Sequence, residues 1–302
     1  MDWRVDPDLP DNDGRTPFSW AAGNGHVEVV KALGAIHTVD INAKDNHHRA
    51  PLFWAVANGH LGVVEQLRDN VKVDPNARDI YGQSPLIQAA KAGGLDVIAA
   101  LLDDVRVDIG ATDEMGRTAL WWALRSNKLE AAKILLAHTP TTFASPHAFD
   151  PDLHDNAGRT PFWWAARNGY EQIACFLLEK GANPDIKDSS GLTPLWWAVR
   201  NGHATIVRLL IDTGRVEPDA RGSMGGTAFM WATRRGDLAV AKMLFDTGKI
   251  NLLARDDDGR SVLSWSSGRG HSHVLEALGL VTKQDWADET GFETQPDPES
   301  QW

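Results

Sequence analysis

The stretch GLTPLWWAVRNGH, Gly191 to His203, sets a threonine-proline step ahead of two adjacent tryptophans and ends on a glycine-histidine pair. Thr193 stands where a hydroxyl caps a helix, and proline at the first helical position gives up no needed hydrogen bond. Gly202 then offers the left-handed conformation that ends a helix. Similar lines start at Gly158 (GRTPFWWAARNGY) and at Gly116 (GRTALWWALRSNK). A repeated helix start, with a large ring in its first turn, is the element to follow outward.

The step recurs as Thr16-Pro17, Ala50-Pro51, Ser84-Pro85, Thr118-Ala119, Thr160-Pro161, Thr193-Pro194, Thr227-Ala228 and Ser261-Val262, at spacings of 34, 34, 34, 42, 33, 34 and 34 residues. The one long interval falls on HTPTTFASPHAFDP, His138 to Pro151. Each copy opens on a turn at Asp11, Asp45, Asp79, Asp113, Asp155, Asp188, Gly222 or Asp256. Glycine closes the first helix at Gly25, Gly59, Gly93, Gly169, Gly202, Gly236 and Gly270. A second helix follows with apolar residues at helical spacing, as in Val63, Val64 and Leu67 or Ile206, Val207 and Leu210. One such pair cannot bury its apolar face alone, whereas stacked neighbours can.

These features predict an all-α repeat solenoid with extended turn fingertips. Residues 1–10 read as a truncated repeat, 11–280 as eight repeats with an insertion at 138–151, and 281–302 as an acidic, flexible tail. VDPDLPDNDG at Val5 parallels FDPDLHDNAG at Phe149, which hints at a duplicated block of repeats.

The net charge of -11 argues against nucleic acid as a partner, because phosphate binding needs clustered positive charge. Cys175 is the only cysteine, so no disulfide forms within the chain and a reducing, cytoplasmic setting is expected. It lies between Ile173 and Leu177, where a core thiol is expected. No apolar run follows Met1, and no stretch approaches the ~18 apolar residues of a membrane span.

The segments DNDGRTPFSWAAGNGHVEVVKAL (Asp11–Leu33) and SSGLTPLWWAVRNGHATIVRLL (Ser189–Leu210) resemble ankyrin repeats in their turn, Thr-Pro-Leu, Ala-Ala, Gly-His and Val-x-x-Leu-Leu positions. The resemblance covers roughly Val5 to Leu280, and its tryptophan-rich wording is similar to arrays common in filamentous fungi. It implies ankyrin helix-turn-helix repeats whose short inner helices and fingertips line a partner-binding face, with no catalytic machinery. It also implies that His26, His60, His203 and His271 brace their turns.

Tryptophan occupies the fourth position after the threonine step in seven of eight copies: Trp20, Trp54, Trp122, Trp164, Trp197, Trp231 and Trp265, with Gln88 in the third. The position before it is Trp121, Trp163 and Trp196 in copies four to six, where the family usually has histidine. Three residues beyond the main row stand Lys91, Arg125, Arg167, Arg200 and Arg234, on the same helix face. One reading is architectural: rings stack on their counterparts, and each cation lies over an indole. The other is a recognition groove in copies three to seven, with cations supplying charge and rings supplying contact area. Consecutive helical positions point ~100° apart, so the first ring of each pair is expected to face a ligand and the second to serve the scaffold.

No nucleophile, base or metal cluster is held in register, so no catalytic residue, metal or cofactor is assigned. DDDG at Asp256 resembles a calcium loop only superficially, because it falls on the repeat turn. The expected function is recognition of an acidic or aromatic protein segment. The alternative is a small aromatic or anionic molecule held in a tryptophan-lined pocket, as binder or non-metal enzyme, with Asp79, Tyr81, Asp113 and Glu114 as candidate proton carriers. A loop at the insertion is expected to close over one part of the groove, and the acidic tail, with Trp286, Phe292 and Trp302, complements the groove and is expected to dock there in its own chain or a neighbour's.

Overall fold

The computed structural model describes residues 6–138, 150–222 and 224–280. Most of the insertion and all of the tail from 281 lie outside the described residues, and so do the expectations of loop closure and tail docking. The chain divides into two compact units, 1–161 and 162–302.

The first unit carries α1 (Pro17–Gly23), α2 (Val27–Gly34), α3 (Pro51–Ala57), α4 (Leu61–Arg68), α5 (Pro85–Ala92), α6 (Leu95–Leu102), α7 (Ala119–Arg125) and α8 (Leu129–Ala137). From the boundary onward come α9 (Pro161–Asn168), α10 (Glu171–Glu179), α11 (Pro194–Asn201), α12 (Ala204–Asp212), α13 (Ala228–Arg234), α14 (Leu238–Phe245), α15 (Val262–Ser267) and α16 (His273–Ala277). Among the described residues there are no strands, only two isolated bridges, Arg221 with Thr227 and Arg255 with Ser261. Each unit is an all-α repeat stack.

Local chemistry sets the helix starts. The hydroxyls of Thr16, Ser84, Thr118, Thr193, Thr227 and Ser261 accept from the amide three residues on, whereas Ala50 makes no such bond. Helices of two turns do not persist alone in water, so packing holds them. In the first unit α1, α3, α5 and α7 pack as one row and α2, α4, α6 and α8 as a second. In the second unit α11, α13 and α15 form the inner row, and α10, α12, α14 and α16 the outer. Val63, Val64 and Leu67 are buried in one unit, and Ile206, Val207 and Leu210 in the other.

The glycine stops behave as their position predicts. Gly25 takes φ 76°, and the ring of His60 from the next repeat lies where a side chain on it would be. The His60 ring nitrogen Nε2 sits 3.0 Å from Gly23 O, and His203 Nε2 makes the same contact with Arg167 O. Histidine therefore ties one turn to its predecessor. Cys175 corrects the sequence reading: it is exposed. Ile173, Ala174 and Leu177 take the core-facing side of α10, which turns the thiol the other way.

Successive fingertips are joined through the backbone, as in Ile80 N to His47 O (3.0 Å) and Glu114 N to Tyr81 O (3.2 Å). A second ladder runs through side chains. Asn42 donates to Lys72 O and accepts from Asp74 N, and Asn76 does the same with Arg106 O and Asp108 N. In the second unit these places hold Asp185 and Asp219, each accepting only a backbone amide, from Glu217 and Asn251. Their Oδ1 atoms are buried without a partner. Burial pushes both carboxyls above the usual carboxylate range, and Glu217 adds to the effect against the pull of Lys187 on one and Arg221 on the other.

A raised folded-state pKa means that the protonated acid suits the fold. Stability from these two groups is complete below the ordinary carboxylate pKa and is lost as pH rises through the raised value. The double variant Asp185→Asn, Asp219→Asn therefore unfolds at higher urea than the parent at pH 7, by about 1 kcal/mol per regained hydrogen bond. That advantage shrinks as pH falls through the carboxylate range. Urea midpoints across pH check it, and an equal gain at pH 4 and pH 7 would refute it.

Candidate recognition surface

The geometry of the tryptophan rows is best followed from the aspartate that opens seven of the eight turns. Asp113 Oδ1 accepts the amides of Met115 (2.9 Å) and Arg117 (3.0 Å), which closes the turn. Its Oδ2 takes Arg117 Nε at 2.7 Å and Trp122 Nε1 at 3.0 Å. The guanidinium also lies over the indole face, 4.4 Å from the ring centroid. Asp45, Arg49 and Trp54 repeat the arrangement, as do Asp256, Arg260 and Trp265. A carboxylate, a guanidinium and an indole thus share one junction, and the carboxylates of Asp45, Asp113 and Asp256 are buried. At Asp11 the Arg15 amide and the Trp20 indole hold the carboxyl below the usual carboxylate range.

The third copy has neither partner: with Gln83 and Gln88 in their places, Asp79 Oδ1 accepts only Tyr81 N and Gln83 N.

The paired tryptophans use both neighbouring turns. In two of the three pairs the second ring reaches back to its own aspartate, Trp122 to Asp113 and Trp197 to Asp188 (3.2 Å). The first ring reaches forward to the next one: Trp121 Nε1 to Asp155 at 2.8 Å and Trp163 Nε1 to Asp188 at 2.9 Å. This reverses the expected roles. The first rings are enclosed, with Trp121, Trp163 and Trp196 only 4%, 1% and 5% exposed, and the forward bond draws Trp121 and Trp163 between two repeats. Of the second rings, Trp122 and Trp197 are half-buried, whereas Trp164 and Trp231 are buried.

The cations lie beside these rings. In the first unit Lys91 Nζ sits 4.6 Å from the Trp122 centroid, and Lys91 and Arg125 are exposed. In the second, Arg167 lies 4.6 Å from Trp197, Arg200 5.3 Å from Trp231 and Arg234 5.4 Å from Trp265. Each of these contacts runs from one repeat to the next, so the cation row links neighbours and its architectural reading has direct support. Arg167 and Arg200 are half-buried, while Arg234 is only 7% exposed. In the second unit Trp164, Trp163, Trp197, Trp196, Trp231 and Trp265 form one edge-to-face column with centroids 5.1–5.4 Å apart.

Candidate proton carriers fare unequally. Asp113 is committed to its four donors, and Asp256, of the calcium-like DDDG, to its own turn, Arg260 and Trp265. Tyr81 is exposed on a fingertip. A cavity in the first unit, lined by Ile109, Leu120, Leu135 and Leu153, holds about 20 Å³, room for a single water rather than a metabolite. Among the described residues no group of three or more His, Cys, Asp or Glu is gathered as a metal site.

The geometry defines a helical-repeat protein with two rows of short helices in each unit. A family model described as ankyrin repeats (3 copies) matches residues 3–79, 70–143, 86–188, 141–221 and 177–256. The chain belongs to the ankyrin-repeat family, whose repeats generally mediate protein–protein interaction. No individual curated relative matches it. No described helix is long and apolar enough to cross a membrane.

If the junction carries this architecture, its aspartates differ in worth. Asp113→Ala leaves an indole, a guanidinium and two amides without their acceptor and lowers stability by roughly 2–3 kcal/mol. Asp79→Ala strands only two turn amides and costs about 1 kcal/mol. Urea titration of both variants measures the difference, and equal losses would mean that the side-chain donors contribute nothing.

Proposed function

We propose that the chain is a recognition module for an acidic protein segment that carries aromatic residues. Contact is made through Lys91, Arg125 and Trp122 in the first unit and through Arg167, Arg200 and Trp197 in the second. Trp121, Trp163, Trp164, Trp196, Trp231 and Arg234 stand behind them as the scaffold that holds these groups in place. The observation that carries this reading is a row of cations at repeat spacing, in contact with indoles, in a chain of net charge -11.

The physical support is pre-ordering. A long cationic side chain loses rotamer freedom when a partner immobilises it, by about 0.5–1.5 kcal/mol. Where the guanidinium already rests on an indole, part of that loss has occurred in the free protein. Arg and Trp are also the side chains that dominate binding hot spots. An acidic partner would approach the row electrostatically, so association weakens with salt. The single cysteine fits a reducing, cytoplasmic setting.

Titration of a fluorescent peptide of alternating Asp and Glu with two Phe residues tests this, beside its lysine-substituted counterpart. The parent is expected to bind the acidic peptide, more weakly at higher salt. The variant Lys91→Ala, Arg125→Ala, Arg167→Ala, Arg200→Ala is expected to lose at least ~10-fold in affinity, equivalent to about 1.4 kcal/mol. Equal binding by parent and variant would assign the cations to architecture alone.

A further inference from the structure

The turn of the seventh copy lacks the carboxylate on which the others are built. Gly222 occupies the aspartate position and Gly226 the arginine position, yet the surrounding tryptophans are retained. Trp196, a first ring like Trp121 and Trp163, has no aspartate ahead of it. Its Nε1 is buried without a hydrogen-bond partner, although the residue is only 5% exposed. The turn still closes as its relatives do, with Gly222 N bonded to Gly226 O at 3.0 Å. By position, Met224 and Gly226 supply the two amides that an aspartate Oδ1 would accept.

The ring nitrogen faces the empty side-chain position. A Cβ built on Gly222 would lie 3.1 Å from Trp196 Nε1 and 2.6 Å from Leu192 Cδ2. Leu192 itself replaces the arginine of the sixth turn, so a methyl group now leans toward the space that a carboxylate fills elsewhere. That methyl is the end of a flexible side chain and can turn aside.

We propose that the seventh turn binds a carboxylate from outside the chain, in the place that Asp155 and Asp188 fill from within. Trp196 Nε1 donates to one oxygen, and the amides of Met224 and Gly226 serve the other. Neutral donors suit a monoanion. Asp257 lies against Gly225 at the same fingertip and disfavours a more highly charged anion such as phosphate. None of the site's donors belongs to the cation row, although Arg200 of that row lies 5.5 Å from the Trp196 ring centroid.

The carboxylate has two possible sources, a free small acid or an Asp or Glu side chain of a partner. Both are tested on the full chain by following its indole N–H resonances in a proton–nitrogen correlation spectrum, with Trp196 assigned by its loss in Trp196→Phe. Sodium acetate and the blocked peptide acetyl-Gly-Asp-Gly-amide are titrated separately, with sodium chloride as the ionic-strength control. The expected result is a saturable downfield shift of the Trp196 resonance alone. In Gly222→Asp that resonance starts downfield and responds to neither ligand. A response to both assigns a general carboxylate site, and a response to the peptide alone assigns a protein side chain. No response to either, or the same response in Gly222→Asp, overturns the proposal. The Gly222→Asp control separates this site from the cation row, because a response through Arg200 beside the Trp196 ring would persist in that variant.

Discussion

A carboxylate with little access to water must be met by donors, and the turn aspartate of this chain gathers them from three directions. The turn contributes its amides, the following arginine its guanidinium, and one or two tryptophans their indole N–H groups. Most other regularities follow from that requirement. The arginine is held by the carboxylate and therefore lies over the indole. The indole is oriented by the same carboxylate and therefore meets the next ring edge-on. Satisfying the aspartate also places the large rings, which explains why so costly a side chain recurs at one position.

Asp188 illustrates how the junction tolerates change. Leu192 stands where an arginine would be, and the carboxylate instead takes two indoles, Trp163 from the previous repeat and Trp197 from its own. Asp155 is met by Trp121 and Arg159. At Asp113, Asp155 and Asp188 what is held constant is a pair of side-chain donors on Oδ2 rather than the residues that supply them. This interchange lets repeats of differing sequence stack with one geometry.

The caps at Thr16 and Thr193 and the glycine stops were legible in the sequence because each depends on neighbours within a few residues, the repeat length was legible by recurrence, and the bracing histidines followed from the family resemblance. The triplets Asp45-Arg49-Trp54, Asp113-Arg117-Trp122 and Asp256-Arg260-Trp265 were also present as a fixed spacing. Copy three, which loses arginine and tryptophan together at Gln83 and Gln88, was the available clue that the two act jointly. Reading the helix face alone missed it, since the aspartate lies nine residues before the ring and outside the helix. The burial of Trp121 and Trp163 was illegible for a related reason: their acceptors belong to the next repeat, and one-helix geometry carries no information about it. Cys175 failed on periodicity, where one step along α10 exchanged the core face for solvent.

The six-ring column of the second unit has a consequence for light. Indoles whose centroids lie 5.1–5.4 Å apart and whose planes cross at 65–80° do not absorb and emit independently. Excitation that begins on any of them passes along the row before emission, so the emitted colour is set by the ring of lowest excitation energy. The guanidinium groups beside the indoles, such as Arg167 over Trp197, tune that energy through their charge. Near-ultraviolet circular dichroism of this unit should be dominated by coupling between rings, and loosening any one repeat would divide a single chromophore into two.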